Sequence, residues 1–213
     1  MNDRRVILVG GGGHALVVAD AARLAGLTLA GVFDDNPRCR LVTLLGLHHH
    51  GTLADLAARS APLHPAPLHL ALGDNDLRAR TANSLDHAPD HAPDRKLATI
   101  IHPRAIVADS ASLAPGVFVG PGAIVNALAR IAQGAILNSG AIVEHDCAVG
   151  PFAHIAPGAA LGGEVSIGER TLIGLGARVL PGVKIGARCV VGAGAVVTRD
   201  LPDGSTVRGI PAR

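Results

Sequence analysis

Tryptophan and tyrosine are absent from this 213-residue chain, and phenylalanine occurs only three times. Without aromatic platforms, the bases of single-stranded nucleic acid have nothing to stack on. Charge is scarce too. Asp, Glu, Lys and Arg make up 17% of residues and the net charge is +2, which suits neither a nucleic-acid partner nor an anionic membrane surface. Three cysteines, an odd number with no Cys-x-x-Cys pair, argue against a disulfide framework. No apolar run reaches the roughly 18 residues of a membrane-spanning helix. The apolar stretch after Arg5 stops at Gly10, too short for a signal peptide. Together these absences predict a cytoplasmic protein with an aliphatic core, no membrane insertion and no nucleic-acid partner.

What the chain does have is a period of six. From Ile101 every sixth residue is a branched aliphatic (Val107, Leu113, Val119, Val125 and onward, in unbroken phase, to Val191 and Val197). Two positions before each stands a compact residue, such as Ala105, Ala123, Cys147, Thr171 or Cys189. Six matches neither a helix nor an alternating strand; it is the signature of a parallel β-helix, in which short strands wind a prism. The aliphatic fills the interior, the small residue admits the next wall, and intervening glycines turn the corners. Cys147 shares the inward phase and is excluded as a nucleophile.

The first half is organised differently. Val6–Val9 reads as a buried parallel strand running into Gly10-Gly11-Gly12-Gly13-His14, with a helix over 15–25 and Gly26 as its cap. A second strand covers 29–33 and ends at Asp34-Asp35. A short helix follows over 53–59, a strand over 68–72 and a helix over 77–85. Strands alternating with helices predict a small open α/β sheet. The domains are expected at 1–97 and 98–213. The tandem Asp-His-Ala-Pro of 86–96 reads as a surface loop. His48-His49-His50 invites a metal reading but lacks a second ligand set, so it is read as a solvated loop and no metal is expected.

Two constellations carry chemistry. The Gly-rich turn between a strand and a helix lets backbone N–H groups approach a phosphate, and one α/β half suits a nucleotide sugar better than a dinucleotide. In the hexad region, Asn138, Glu144, His145, Asp146 and His154 lie off the inward phase. A carboxylate on each side of His145 orients the imidazole and raises its basicity, as a general base requires. A coil of three six-residue sides takes about eighteen residues, so His145 and His154 should face different sides of one prism. If both serve one site, they come from neighbouring protomers of a ring-closed trimer.

Taken in order, Gly12-Gly13-His14, Asp34-Asp35, Gly73-Asp74-Asn75-Asp76, Ile101-His102-Pro103, Asn138, Glu144-His145-Asp146-Cys147, His154 and the terminal Gly-Ile-Pro-Ala resemble the NeuD/PglD-type sugar acetyltransferases over essentially the whole chain. That resemblance implies a Rossmann-like nucleotide-sugar-binding domain followed by a left-handed β-helix. It also implies acetyl-CoA as co-substrate and a homotrimer with active sites between subunits. His145 would be the base and Asp146 would raise its basicity. Asn138, His154, Gly163, Leu175 and Ala193 would meet CoA. Gly12, Gly13 and His14 would hold the diphosphate, Asp34 and Asp35 the base or ribose, with Gly73 and Asp76 lining the same pocket. The chain departs from relatives that carry Lys soon after this His; here Ala15-Leu16 follow.

The expected reaction is therefore acetyl transfer to the 4-amino group of a nucleotide-linked amino sugar for surface glycan synthesis. The rival within the class is O-acetylation of sialic acid or another sugar hydroxyl. Outside it stands a non-catalytic or metal-binding β-helix trimer.

Overall fold

The computed structural model describes residues 4–58, 66–86 and 97–213, in two compact units, Met1–Ile100 and Ile101–Arg213.

The first unit carries β1 (Arg5–Val9), α1 (Gly13–Leu24), β2 (Thr28–Phe33), α2 (Arg40–Leu45), β3 (His49–Gly51), α3 (Leu53–Ala58), β4 (Leu68–Leu70) and α4 (Asn75–Asp86). Its sheet is parallel, in the order β3-β2-β1-β4. Val6 to Val9 are apolar without alternation because a central parallel strand is covered on both faces, and all four are buried. Helix α1 buries Ala15, Val18, Ala19 and Ala22, one helical stripe of small side chains that lets the helix sit close to its neighbours. The surface loop expected over 86–96 begins later than read, because Asp86 still closes α4; the remainder lies outside the described residues.

Two elements, α2 and β3, were not foreseen. The His48–His50 stretch is no solvated loop. His49 and His50 begin edge strand β3, where His49 Nε2 donates to Asp34 O at 2.8 Å and His50 Nε2 to Ala30 O at 3.1 Å. The His50 ring stacks on Phe33 with centroids 5.4 Å apart. Each imidazole thus meets backbone carbonyls of β2 and its C-terminal end, and Gly31 supplies the space, since a Cβ there would overlap the His50 ring. Among the described residues no three His, Cys, Asp or Glu side chains gather to hold a metal.

The second unit is a left-handed parallel β-helix of two-residue strands on three faces. The first face runs from Ile100–Ile101 to Thr206–Val207, the second from Ile106–Val107 to Val196–Val197, and the third from Ser112–Leu113 to Lys184–Ile185. Partners along a face lie one coil apart, as in Ile136↔His154 and Leu172↔Val190. The hexad aliphatics from Val119 to Val197 point inward and are buried together with their small companions. The first members depart from that pattern. Ile101 is 36% exposed, and Val107 and Leu113 are half-buried, because within the prism the first coil stacks on a neighbour on one side only. Inward Thr171 satisfies its hydroxyl by donating to Gly186 O at 2.7 Å and accepting from Cys189 N at 2.9 Å. All three cysteines are free and buried. Among the described residues no helix is long and apolar enough to cross a membrane.

Candidate active site

In the first unit the C-terminal ends of three adjacent strands lie level, with Val9 beside both Phe33 and Leu70. That register gathers Gly12-Gly13-His14, Asp34-Asp35 and Gly73-Asp76 at one end of the sheet, where open α/β folds bind ligands. Gly10 sits at φ 100°, a left-handed value that favours glycine. Helix α1 opens at Gly12 with no side chain capping it and no acidic residue in its first turn, so no residue of that turn opposes an anion there.

Asp34 is committed to backbone. Its Oδ2 accepts from Gly11 N at 2.7 Å and its Oδ1 from Asn36 N at 2.9 Å. Asp35 Oδ1 accepts from Leu53 N at 2.9 Å. These carboxylates brace the loops that frame the anion end of α1. On the other side, Arg78 is buried in α4 and donates to Leu72 O at 2.9 Å and Asn75 Oδ1 at 2.8 Å, which fixes the Gly73 turn.

A residue the sequence reading passed over enters here. Arg40, first in α2, places Nη1 3.7 Å from where a Gly13 Cβ would stand, and its backbone N–H donates to Gly11 O at 3.1 Å. It brings a cation to the first turn of α1, the charge that Ala15-Leu16 do not provide. The available signal was its position, a few residues beyond the end of β2 at the ligand-binding end of the sheet.

In the β-helix, His145 and Asp146 occupy the corner between the second-face strand Ile142–Val143 and the third-face strand Ala148–Val149. Asp146 turns the chain there with φ 58°. His145 Nδ1 donates to Asp146 Oδ2 at 2.9 Å, which places the ring proton on Nδ1 and leaves Nε2 with its lone pair. That bond raises the His145 pKa above 6.5, and the charges of Asp146, Glu144 and Glu164 add to it against partial desolvation. The ring is 57% exposed and borders an open cleft of about 300 Å³ shared with Gly163, Glu164, Pro181 and Gly182. Neighbouring Cys147 is buried, its thiol pushed up by desolvation and donating to Gly162 O at 3.1 Å. An exposed, carboxylate-oriented imidazole beside an inert thiol is equipped for direct proton abstraction, not for covalent catalysis.

His154 lies elsewhere. It stands in the first-face strand His154–Ile155, and Asn138 Nδ2 donates to its Nε2 at 3.1 Å. Asn138 Oδ1 accepts from Ser139 N at 2.8 Å, which fixes the amide orientation. His154 Nε2 is therefore the acceptor and its proton rests on Nδ1. Asn138, Leu175 and Ala193 sit at corners between the first and second faces. In a three-sided column, the corner carrying His145 is opposite the face carrying His154. Gly163 goes with His145; Asn138, Leu175 and Ala193 go with His154. One protomer does not bring the two sets together.

Residues 5–85 match the family described as the PglD N-terminal domain, and residues 164–199 match the hexapeptide repeat of succinyl-transferase. No curated protein matches the chain. Among solved structures, a variant of perosamine N-acetyltransferase from Caulobacter crescentus, in complex with CoA and GDP-perosamine, is 42% identical with a TM-score of 0.87; the match covers 98% of this chain and 95% of that one. The acetyltransferase domain of PglB from Neisseria gonorrhoeae, in complex with acetyl coenzyme A, is 35% identical with a TM-score of 0.88, over 100% and 99% of the two chains. WeeI from Acinetobacter baumannii, at 23% identity and a TM-score of 0.80, shares the fold over 98% of both chains.

Proposed function

Because this chain belongs to the NeuD/PglD-type family of sugar acetyltransferases, we propose that it transfers acetyl from acetyl-CoA to the 4-amino group of a nucleotide-linked sugar. The observation that carries the reading is the His145–Asp146 pair, a correctly tautomerised base on an open cleft. The neutral amine attacks the thioester carbonyl, its nitrogen bonds to the acetyl carbon, and His145 Nε2 takes the proton the nitrogen loses. The C–S bond breaks, and the imidazolium returns that proton to the departing sulfur. Products are the acetamido sugar and the free thiol. Asp146 keeps Nδ1 as the donor and stabilises the charge His145 acquires. Such a product feeds surface glycan assembly, and both substrates are cytoplasmic metabolites.

The nucleotide diphosphate is assigned to the first turn of α1, with Arg40 as its cation. Arg40→Ala is expected to raise KM for the nucleotide sugar about tenfold, the worth of one charge-assisted contact, and to leave KM for acetyl-CoA unchanged in steady-state assays. GDP-perosamine is the first acceptor to try, since the Caulobacter enzyme is crystallised with it. A panel of GDP-, UDP- and dTDP-linked 4-amino sugars, with free-thiol release as readout, tests the function. Turnover of a hydroxyl sugar alone would replace N- by O-acetylation, and no thiol release from any acceptor would remove the reading.

The opposed positions of His145 and His154 support a homotrimer in which both imidazoles serve one site between subunits. His145→Ala and His154→Ala chains, each impaired alone, should regain activity when co-expressed, because a mixed assembly contains interfaces with both imidazoles intact. Sedimentation at the trimer mass accompanies that result. Mixed assemblies without recovery, or a functional monomer, would overturn it.

A further inference from the structure

Gly163 is assigned to the CoA wall by resemblance, but its geometry points at the base. A Cβ built on Gly163 would lie 2.6 Å from both Cε1 and Nε2 of His145 and 3.3 Å from Cδ2. Carbon contacts settle near 3.5–4.0 Å, so this side of the imidazole rests against a bare Cα that no other residue could provide. Gly163 does not have the left-handed φ that marks corner glycines such as Gly158 and Gly176. Its backbone is one that alanine adopts without strain, so the requirement for glycine is the space alone.

The surrounding backbone allows one outcome of filling that space. His145 O accepts from Glu164 N at 2.9 Å, Asp146 N donates to Ala127 O at 3.0 Å, and Gly163 O accepts from Gly182 N at 2.9 Å. Both chain segments are held by adjoining coils, so neither can retreat. The imidazole is the part free to give, and it can swing only by leaving the Nδ1–Oδ2 geometry at Asp146. We propose that Gly163 is a positioning residue for the reaction: its missing side chain seats the His145 ring so that Nε2 faces the cleft while Nδ1 stays on Asp146. The proposal rests on His145 being the base. It differs from the CoA-wall role in what a methyl group there should disturb.

The test is Gly163→Ala beside His145→Ala, with kcat, both KM values, pH profiles and melting temperature measured for each. A displacement of about an ångström costs on the order of 10²-fold when it moves a catalytic group. Gly163→Ala is therefore expected to lower kcat about 10²-fold, with KM for acetyl-CoA within twofold and melting within a few degrees of the parent. Loss of the Asp146 bond also moves the acid limb of kcat/KM to lower pH, a change that general loosening would not produce. NMR titration of the His145 ring nitrogens in Gly163→Ala should report the same fall without relying on turnover. An unchanged kcat with a raised KM for acetyl-CoA makes Gly163 a cofactor wall and overturns the proposal, as does an unaltered His145 titration. If His145→Ala itself stays active, the base assignment has failed, independently of the seat.

Discussion

Replacing His145 by alanine is expected to lower kcat about 10²–10⁴-fold, the usual contribution of a positioned general base, while CoA binding measured by calorimetry persists. The Nδ1–Asp146 bond fixes the tautomer, so Nε2 is the only ring atom with a lone pair to offer, and nothing nearby can substitute. The charges of Glu144 and Glu164 act on the ring and favour its protonated form. The pH dependence carries a sign. His145 works unprotonated and its pKa is raised, so the acid limb of kcat/KM lies above pH 6.5. Asp146→Ala removes the largest cause of that shift. The limb then moves to lower pH while the plateau rate falls, because the weaker base is also free to change tautomer. Near-parental turnover in His145→Ala would sink the assignment outright.

The second large effect is on stability. Gly150→Ala is expected to cost about 3 kcal/mol or more, at the upper end for overpacking, and to lower the melting temperature accordingly in calorimetry. Its Cβ would stand 2.8 Å from Ile167 O, Gly168 C and Glu169 N, all backbone of the next coil. Gly150 N also donates to Ile167 O at 2.8 Å, so the coils cannot separate to admit a methyl group without losing that bond. The contrast is Gly140. It has φ 64°, yet its Cβ would meet nothing within 4 Å. At the same turn position of the other two corners, Leu128, Asp146, Phe152, Glu164, Arg170 and Arg188 adopt φ between 55° and 63°. Gly140→Asn should therefore cost under about 1 kcal/mol, since Asn tolerates the left-handed region. Equal losses from the two variants would show that coil spacing is softer than the backbone bonding implies.

The β-helix was legible because each inward position repeats one simple demand, an aliphatic of similar size every six residues, and no tertiary context overrides it. The strand at Val6–Val9 was legible for the same reason: burial on both faces leaves a continuous apolar run. Strand β3 was not. Its His49-His50-Gly51 has no β-propensity to read, and what secures it is two imidazole bonds to carbonyls of β2 and its end, partners visible only after folding. Helix α2 is short and half-exposed, so Leu41 is the single residue it buries, and Arg40 passed unnoticed with it. At the site, the pairing of His145 with Asp146 is adjacent in sequence and easily read. The association of Gly163 with His145 depends on coils stacking eighteen residues apart, which one more step from the same period would have supplied. The division of Leu175 and Ala193 from Gly163 needed the corners to be numbered around the column.

Because Ile136 lies beside His154, then Leu172, then Val190, length in this half of the molecule is quantised. Adding or deleting one full winding returns every later side chain to its former compass bearing. Any other change rotates all that follows, sending aliphatics into solvent and parting His145 from the glycine beneath it. Evolution along such an axis is confined to whole steps, and a designer wishing to lengthen the molecule must cut in the same unit.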